Sequence, residues 1–431
     1  MIRNKRGSSS IMLAIIITAF MGCIAGAITI SRGIVVKSEC EGLTRLWGKA
    51  ILSEYDVFLL DEYGIQAFYG NEKDISNELD YFMDYSCKGK LDARIGKSAA
   101  TVSTYCLKDA PNFRKAIKNS VNDAVIDELI SGGNRIKRET SEEAFNERVI
   151  ANHVVIDTLP SGTIDSSLNI DAVSEKLKDE GVLDVIKSSA GNTATDLLFI
   201  RSKLGNNLYA ANENETFFRN EWEYIISGSK DDKENYRNCR TKLFLIRNAL
   251  NLASIYKDAE KTAAISEISL IITPGPGAVL TQAIIAEAWA AAETEADLKA
   301  LYEYKRVPLL KGPGDWKISL ESILKSDSLN EKLDEETKKL LKENEEEIGK
   351  KTESIDSVKD EVLEGQNYED YLLLIMSFMN ENVRETRIMD IIQINMKYRH
   401  YADFNMDEYY VGVSLSIEAN GRTYESESVY K

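Results

Sequence analysis

The chain has 431 residues, 43% of them apolar, and a formal net charge of −17 at neutral pH. A surface this acidic repels phosphate backbones and argues against nucleic acid as a partner. The length and apolar content suffice for a large core divided over two or three lobes.

Residues 1–10 form a short tail with Arg3, Lys5 and Arg6, and an uncharged apolar run follows from Ile11 to Ile30. As a helix this run spans roughly 30 Å, the thickness of a bilayer's hydrocarbon core. A retained transmembrane anchor is the expectation. The rivals are a lipoprotein signal, for which Phe20-Met21-Gly22 before Cys23 is a poor fit, and a secretory signal cut after Ala25-Gly26-Ala27. The apolar run favours the anchor because it flows into Gly33-Ile34-Val35-Val36 with no proline or turn. The bias of basic residues towards the tail places the N-terminus in the cytoplasm and the bulk of the chain outside. The first 30 residues hold three of the 53 basic groups and none of the 70 acids, leaving a net charge of −20 on the rest.

Residues 31–64 read as a stalk helix, with Leu43, Leu46, Trp47, Ala50, Ile51, Tyr55, Phe58 and Leu59 making one apolar stripe that ends near Tyr63-Gly64. Residues 65–431 are expected to form one extracytoplasmic α+β domain. Alternation at Ala100, Val102, Thr104 and Cys106 predicts a strand, and Pro111 opens a helix through Phe113, Ile117, Val121, Val125 and Leu129. Helical patterns follow at 142–159, 171–186 and 193–207, and a buried strand or helical turn at 217–227. A long helix is predicted over 235–257.

The segment 263–292 is the most apolar outside the anchor, but Thr273-Pro274-Gly275-Pro276-Gly277 splits it into arms too short to span a bilayer. Two buried core helices are expected there. Residues 327–365 form a charged helical excursion whose apolar residues Leu341, Ile348, Ile355 and Val362 recur every seven positions, the beat of a helix–helix seam. Asn344 and Lys351 interrupt it. Core resumes at 368–379 and 387–396. Near the C-terminus, Val411, Val413, Leu415 and Ile417 alternate strictly before Asn420-Gly421, which predicts a β-hairpin with a type I′ turn.

No catalytic, cofactor or metal site is expected. His153 and His400 sit among apolar and tyrosine neighbours and read as structural. Gly96-Lys97-Ser98 imitates the end of a phosphate-binding loop, but Leu91 stands where its first glycine belongs. The acidic clusters lack the turn glycine and ligand alternation of a calcium loop. In an oxidising compartment Cys87 and Cys106 are the candidate disulfide.

Residues Arg6-Gly7 before the anchor and Leu52 to Ile65 after the stalk resemble a bacterial membrane-anchored family of unknown function, with an N-terminus similar to the TadE/TadG-like proteins of tight-adherence pilus systems. Further landmarks are Glu221 to Ile226, Leu245 to Asn251, Val307 to Leu309 with Asp315-Trp316, and Met389 to Met396. The patterns along the chain together predict a mostly helical α+β fold: a transmembrane helix running into a stalk, a small antiparallel sheet and a C-terminal hairpin. The resemblance implies protein partners in a Tad/Flp-type pilus or envelope apparatus, with membrane lipid around the anchor, and makes Gly7 a candidate processing site, although an uncut chain is the expectation. It carries no catalytic residues. One departure is Met12, which stands where pilins cut at such a glycine hold Glu. The alternative role is a membrane-tethered binding or sensing module with a pocket lined by tyrosines and Trp222, Trp289 or Trp316, or a secreted form of it.

Overall fold

The computed structural model describes residues 6–87, 93–121, 135–139, 148–150, 159–162, 173, 175–176, 191–353 and 365–430. The chain divides into two compact units, the first made of residues 1–120 and 405–431 and the second of residues 121–404. The fold is mostly helical, with small antiparallel sheets and a C-terminal hairpin, as the sequence predicts. The predicted helix at 142–159 and that at 171–186 lie almost wholly outside the described residues, as do Ile355 and Val362.

Unit 1 begins with α1 (Arg6–Leu52). Every residue from Ser9 to Val35 is exposed, and burial then starts abruptly at Val36, Cys40, Thr44 and Gly48. A four-residue repeat keeps one face of a helix turned the same way, so this is where the rod acquires a protein partner. The stalk is not continuous to Tyr63, contrary to the sequence expectation. α1 stops at Leu52, and Asp56 caps a second helix, α2 (Val57–Tyr63), by accepting from the Phe58 and Leu59 amides at 2.9 Å. A carboxylate that satisfies two free helix-start amides competes with continued helix, which explains the break. Gly64, at φ 69°, closes α2 as predicted.

The sheet of unit 1 is antiparallel, in the order β2 (Ile95–Thr101), β6 (Gly412–Ala419), β7 (Arg422–Val429). A two-residue pair, β1 (Phe68–Tyr69) with β5 (Tyr409–Tyr410), stands beside it in sequence order. The hairpin runs in unbroken register from Gly412↔Val429 to Ala419↔Arg422. Asn420 at φ 53° and Gly421 at φ 71° give the expected type I′ turn. Val413, Leu415, Ile417 and Ala419 are fully buried, so the alternation seen in the sequence is the inward face of β6. Val413, Leu415 and Ile417 pack with Ile75, Leu79 and Met83 of α3 (Glu72–Cys87) and with Leu43, Trp47 and Ile51 of α1.

The outer edge of β2 is closed by side chains. Ser98, Ala100 and Val102 donate their amides to Asp80, Ser76 and Glu72 of α3, at 2.8, 2.9 and 3.1 Å. Four residues of helix advance about as far as two of strand, so each of these three amides meets an acceptor. This protects the edge from pairing with another chain. The Ser103 amide, also 3.1 Å away, and then that of Val102 pull the Glu72 carboxyl below its ordinary range.

α1 approaches β7 so closely that a Cβ on Gly48 would lie 2.3 Å from the Ser428 hydroxyl and 2.9 Å from its Cβ. At Gly42 the same atom would meet nothing. Alanine favours a helix over glycine by about 1 kcal/mol, whereas overpacking costs about 1–3 kcal/mol. Gly48→Ala is therefore expected to lower the thermal midpoint of unit 1 and Gly42→Ala to raise it slightly, as read by circular dichroism. Equal shifts for both would refute the tight contact.

Unit 1 also holds α4 (Ala110–Ser120). The described part of unit 2 is mostly helix: α5 (Gly191–Lys203), α6 (Glu221–Ser227), α7 (Asp232–Lys257), α8 (Ala259–Ile272), α9 (Ala278–Tyr302), α10 (Leu320–Leu324), α11 (Asp327–Asn330), α12 (Glu335–Glu343), α13 (Glu345–Thr352), α14 (Tyr368–Ser377) and α15 (Glu381–Arg399). A two-residue ladder joins β3 (Ile136–Lys137) to β4 (Tyr209–Ala210). The apolar segment forms α8 and α9, and Ile265, Ile268, Ile272, Ile285 and Trp289 lie in one core with Trp316 and Leu320. The seven-residue beat does not make a continuous seam. Asn344 ends α12 and begins α13, and Ile348 joins that same core.

Candidate functional site

Ile11 and Ile30, the predicted limits of the span, are both about two-thirds exposed, and α1 is long and apolar enough to cross a membrane. Gly7 lies in its first turns. All five cysteine thiols are free. Cys87 is buried at the end of α3, whereas Cys106 is half-buried with its thiol facing the Met406 and Asp407 carbonyls, at 3.8 and 3.7 Å. Burial pushes both thiols up. Gly96-Lys97-Ser98 is part of strand β2 rather than a loop. His400 sits at the end of α15 beside Tyr401, and His153 lies outside the described residues. Trp222, Trp289 and Trp316 are core residues, none more than 3% exposed. Among the described residues no group of three or more His, Cys, Asp or Glu is placed to hold a metal ion.

The densest chemistry in the molecule is a set of buried polar networks in unit 2. In the first, the Arg247 guanidinium of α7 donates to the Pro308 and Leu309 carbonyls and the Tyr371 hydroxyl, all at 2.9 Å. It also donates to Asn251 at 2.8 Å and to Asp297 of α9 at 2.6 Å. The Lys311 ammonium bonds Asp297 at 2.7 Å and also Glu293, which accepts the Lys317 and Ile318 amides. Arg247, Glu293 and Asp297 have no exposed surface, and the charged end of Lys311 has none either. Buried ions persist only when paired and hydrogen-bonded, and here two cations face two anions. The surrounding cations hold the Asp297 carboxyl down at about 2 although burial alone would raise it. The network ties the connection 307–318 to α7 and α9.

The second network surrounds α6. Glu221 accepts from the Gly205 amide and from Asn395 of α15 at 2.7 Å, and Glu223 accepts from the Tyr368 hydroxyl at 2.6 Å and the Asn207 amide at 3.1 Å. Asp390 takes the Tyr224 hydroxyl at 2.8 Å, and Asp232 takes the Arg219 and Asn220 amides at 3.1 Å. Elsewhere Arg384 grips Asp196 through two nitrogens, at 2.9 and 2.7 Å.

Burial pushes Glu221 and Glu223 up to about 7. A carboxyl raised in the fold binds its proton more tightly there than in the unfolded chain. Its contribution is fully present below about 4.5 and is lost as pH rises through about 7, roughly 3 kcal/mol for each group. Unit 2 is expected to melt several degrees higher at pH 5.5 than at pH 8. Oε2 of Glu223 has no hydrogen-bond partner among the described residues, so Glu223→Gln mimics the protonated acid and should shrink that difference. A calorimetric midpoint equally pH-dependent in wild type and variant would contradict the assignment.

These networks coincide with the landmark segments. Arg247 and Asn251, the carbonyls of Pro308 and Leu309, the pair Glu221 and Glu223, and Asp390 and Asn395 all fall within them. A family of unknown function (DUF5702) matches residues 139–421. The chain belongs to this family. No curated protein and no solved structure matches it. The DUF5702 match takes in every network residue named above, while α1 and residues 52–65 lie outside it. The geometry thus accounts for the landmarks as internal cross-links. Sequence reasoning missed them as a set, though one signal was present: Arg247 shares a helix stripe with Leu243, Leu250 and Ser254, where a solvated cation would not belong.

Proposed function

We propose that the protein is a single-pass, membrane-anchored component of a cell-envelope apparatus of the Tad/Flp pilus type, acting in structure or assembly rather than catalysis. Its N-terminus is cytoplasmic and its two folded units are displayed outside. The observation that carries the reading is the change in α1 at Val36, from apolar and exposed on all sides to packed on one face. A helix that is apolar all round needs a surrounding apolar medium. The buried ions support the structural part, because paired charges sealed from solvent cross-link helices. The TadE/TadG-like character rests on residues 6–7 and 52–65, and Met12 sets the chain apart from pilins that pair a buried Glu with a neighbouring subunit.

The test is deletion of the chain from its own cells, with surface appendages imaged and envelope fractions compared. Loss of filaments or of another envelope assembly, restored by wild type and not by a chain lacking residues 1–30, is the expected result. Unchanged envelope structures with the protein in the soluble cytoplasmic fraction would overturn the proposal.

A further inference from the structure

We propose that unit 1 carries a binding site for the phosphate of an anionic phospholipid, in the groove between α1 and the β6–β7 turn; this rests on the membrane-anchored reading. The groove has a volume of about 1050 Å³, and its floor along α1 runs from Thr29 to Glu41. It therefore opens where the apolar span ends at Ile30. The headgroup layer is about 5–8 Å deep on each side of the hydrocarbon core, so about four to five residues of helix beyond Ile30 lie at its level.

Charge along the groove is graded on both walls in the same sense. On α1, Arg32 and Lys37 come first and Glu41 lies deeper into unit 1; on β7, Arg422 comes directly after the turn and Glu425 three residues further on. Ala419, at the end of β6, packs with Val36 and Cys40 of α1, which sets the turn at the membrane end of the stalk. Arg32, Lys37 and Arg422 are all exposed, and Arg422 comes from an element far away in sequence. Two arginines and a lysine from two walls suit a phosphate; Lys37, one turn deeper and 3.7 Å from Glu41, reaches it by turning its exposed stem back toward Ile30, while exposed Ile30 and Ile34 offer the acyl chains a path along the helix. The local sign opposes that of the whole chain. Charges beyond about 8 Å are largely screened at physiological salt, so an acidic surface elsewhere does not cancel a basic collar at the headgroups.

The full chain, purified and reconstituted into phosphatidylcholine vesicles with a minor share of phosphatidylglycerol, supplies the test. Vesicles are floated, the protein is gently re-extracted, and the lipids retained are counted by mass spectrometry. The expected result is phosphatidylglycerol enriched about fivefold over its share in the vesicles. That enrichment should vanish in Arg32→Gln/Lys37→Gln/Arg422→Gln and rise in Glu41→Gln. Inorganic phosphate in the buffer should not displace the lipid, and phosphatidylethanolamine in place of phosphatidylglycerol should show no enrichment. A protein that floats but retains lipid in bulk proportion, or a triple variant that retains as much as wild type, overturns the site alone. A protein that does not float overturns both the site and the anchor. Far-UV circular dichroism of the triple variant shows that the hairpin persists, and the Glu41 variant gives a reading independent of it.

Discussion

Replacing Arg247 with Met is expected to lower the thermal midpoint of unit 2 by about 10 °C, the largest effect of any single substitution considered for the folded units. The guanidinium is fully buried and holds two carbonyls, a tyrosine hydroxyl, Asn251 and Asp297 at once. Methionine fills most of the space and removes every donor. Breaking a buried ion pair from one side costs about 3–5 kcal/mol, because the partner is left charged and under-solvated. Lys311 at 2.7 Å and Lys317 at 3.6 Å still compensate Asp297, which sets the expectation at the lower end of that range. The carbonyls of Pro308 and Leu309 lose their donor as well, so the connection they belong to should become susceptible to proteolysis. Arg247→Met/Asp297→Leu should recover part of the loss, since replacing both partners with apolar groups removes the uncompensated charge. A single-variant midpoint within about 2 °C of wild type, measured by calorimetry on the full chain, would contradict this account of the network.

The second large effect concerns the anchor. Ala19 and Phe20 lie at the middle of the 11–30 span, where each arginine costs about 2.5–3.5 kcal/mol of insertion free energy. Ala19→Arg/Phe20→Arg is expected to move most of the protein out of the alkali-resistant membrane fraction. Folding of unit 2 should be unaffected, because its core draws on none of those residues. A double variant that remains fully membrane-embedded would show that this segment does not hold the chain in the bilayer. Conversely, Arg45→Ala, on the exposed side of the stalk, should leave fractionation unchanged.

The long apolar helix and the hairpin were legible in the sequence because each rests on a short-range pattern. An unbroken apolar run and an Asn-Gly turn between alternating strands need no knowledge of the rest of the chain. The split of 263–292 into two core helices was legible for a similar reason, since Pro274 and Gly275, the latter at φ 94°, break a helix locally. The stalk was misread past Leu52 because its apolar stripe continues through Tyr55 and Phe58, and a periodic pattern does not register one capping aspartate. The seven-residue beat showed an apolar edge, and Asn344 marked its break, but neither showed what that edge packs against. Ile348 serves a tertiary core shared with α8 and α9, and a seam is one of several ways to bury such a residue.

The buried networks were the least legible part. Arg247 and Asp297 are 50 positions apart and Glu223 and Tyr368 are 145 apart, so only the fold brings them together. A charged residue on an apolar helix stripe is the trace such a network leaves in sequence, and Arg247 carries it. Glu221 and Glu223 do not, since alternating acids in a short segment look like a solvated face. The apolar helix α1 was therefore read directly, and the cross-links became visible only in three dimensions.

A protein that acts from the membrane keeps α1 attached, with the folded units held there by it. Intact-mass measurement of the protein extracted from the membrane fraction of its own cells tests it most directly. The expected product is a chain that still contains residues 11–30 and resists alkaline extraction. A soluble protein whose mass begins at Ile28 would contradict it.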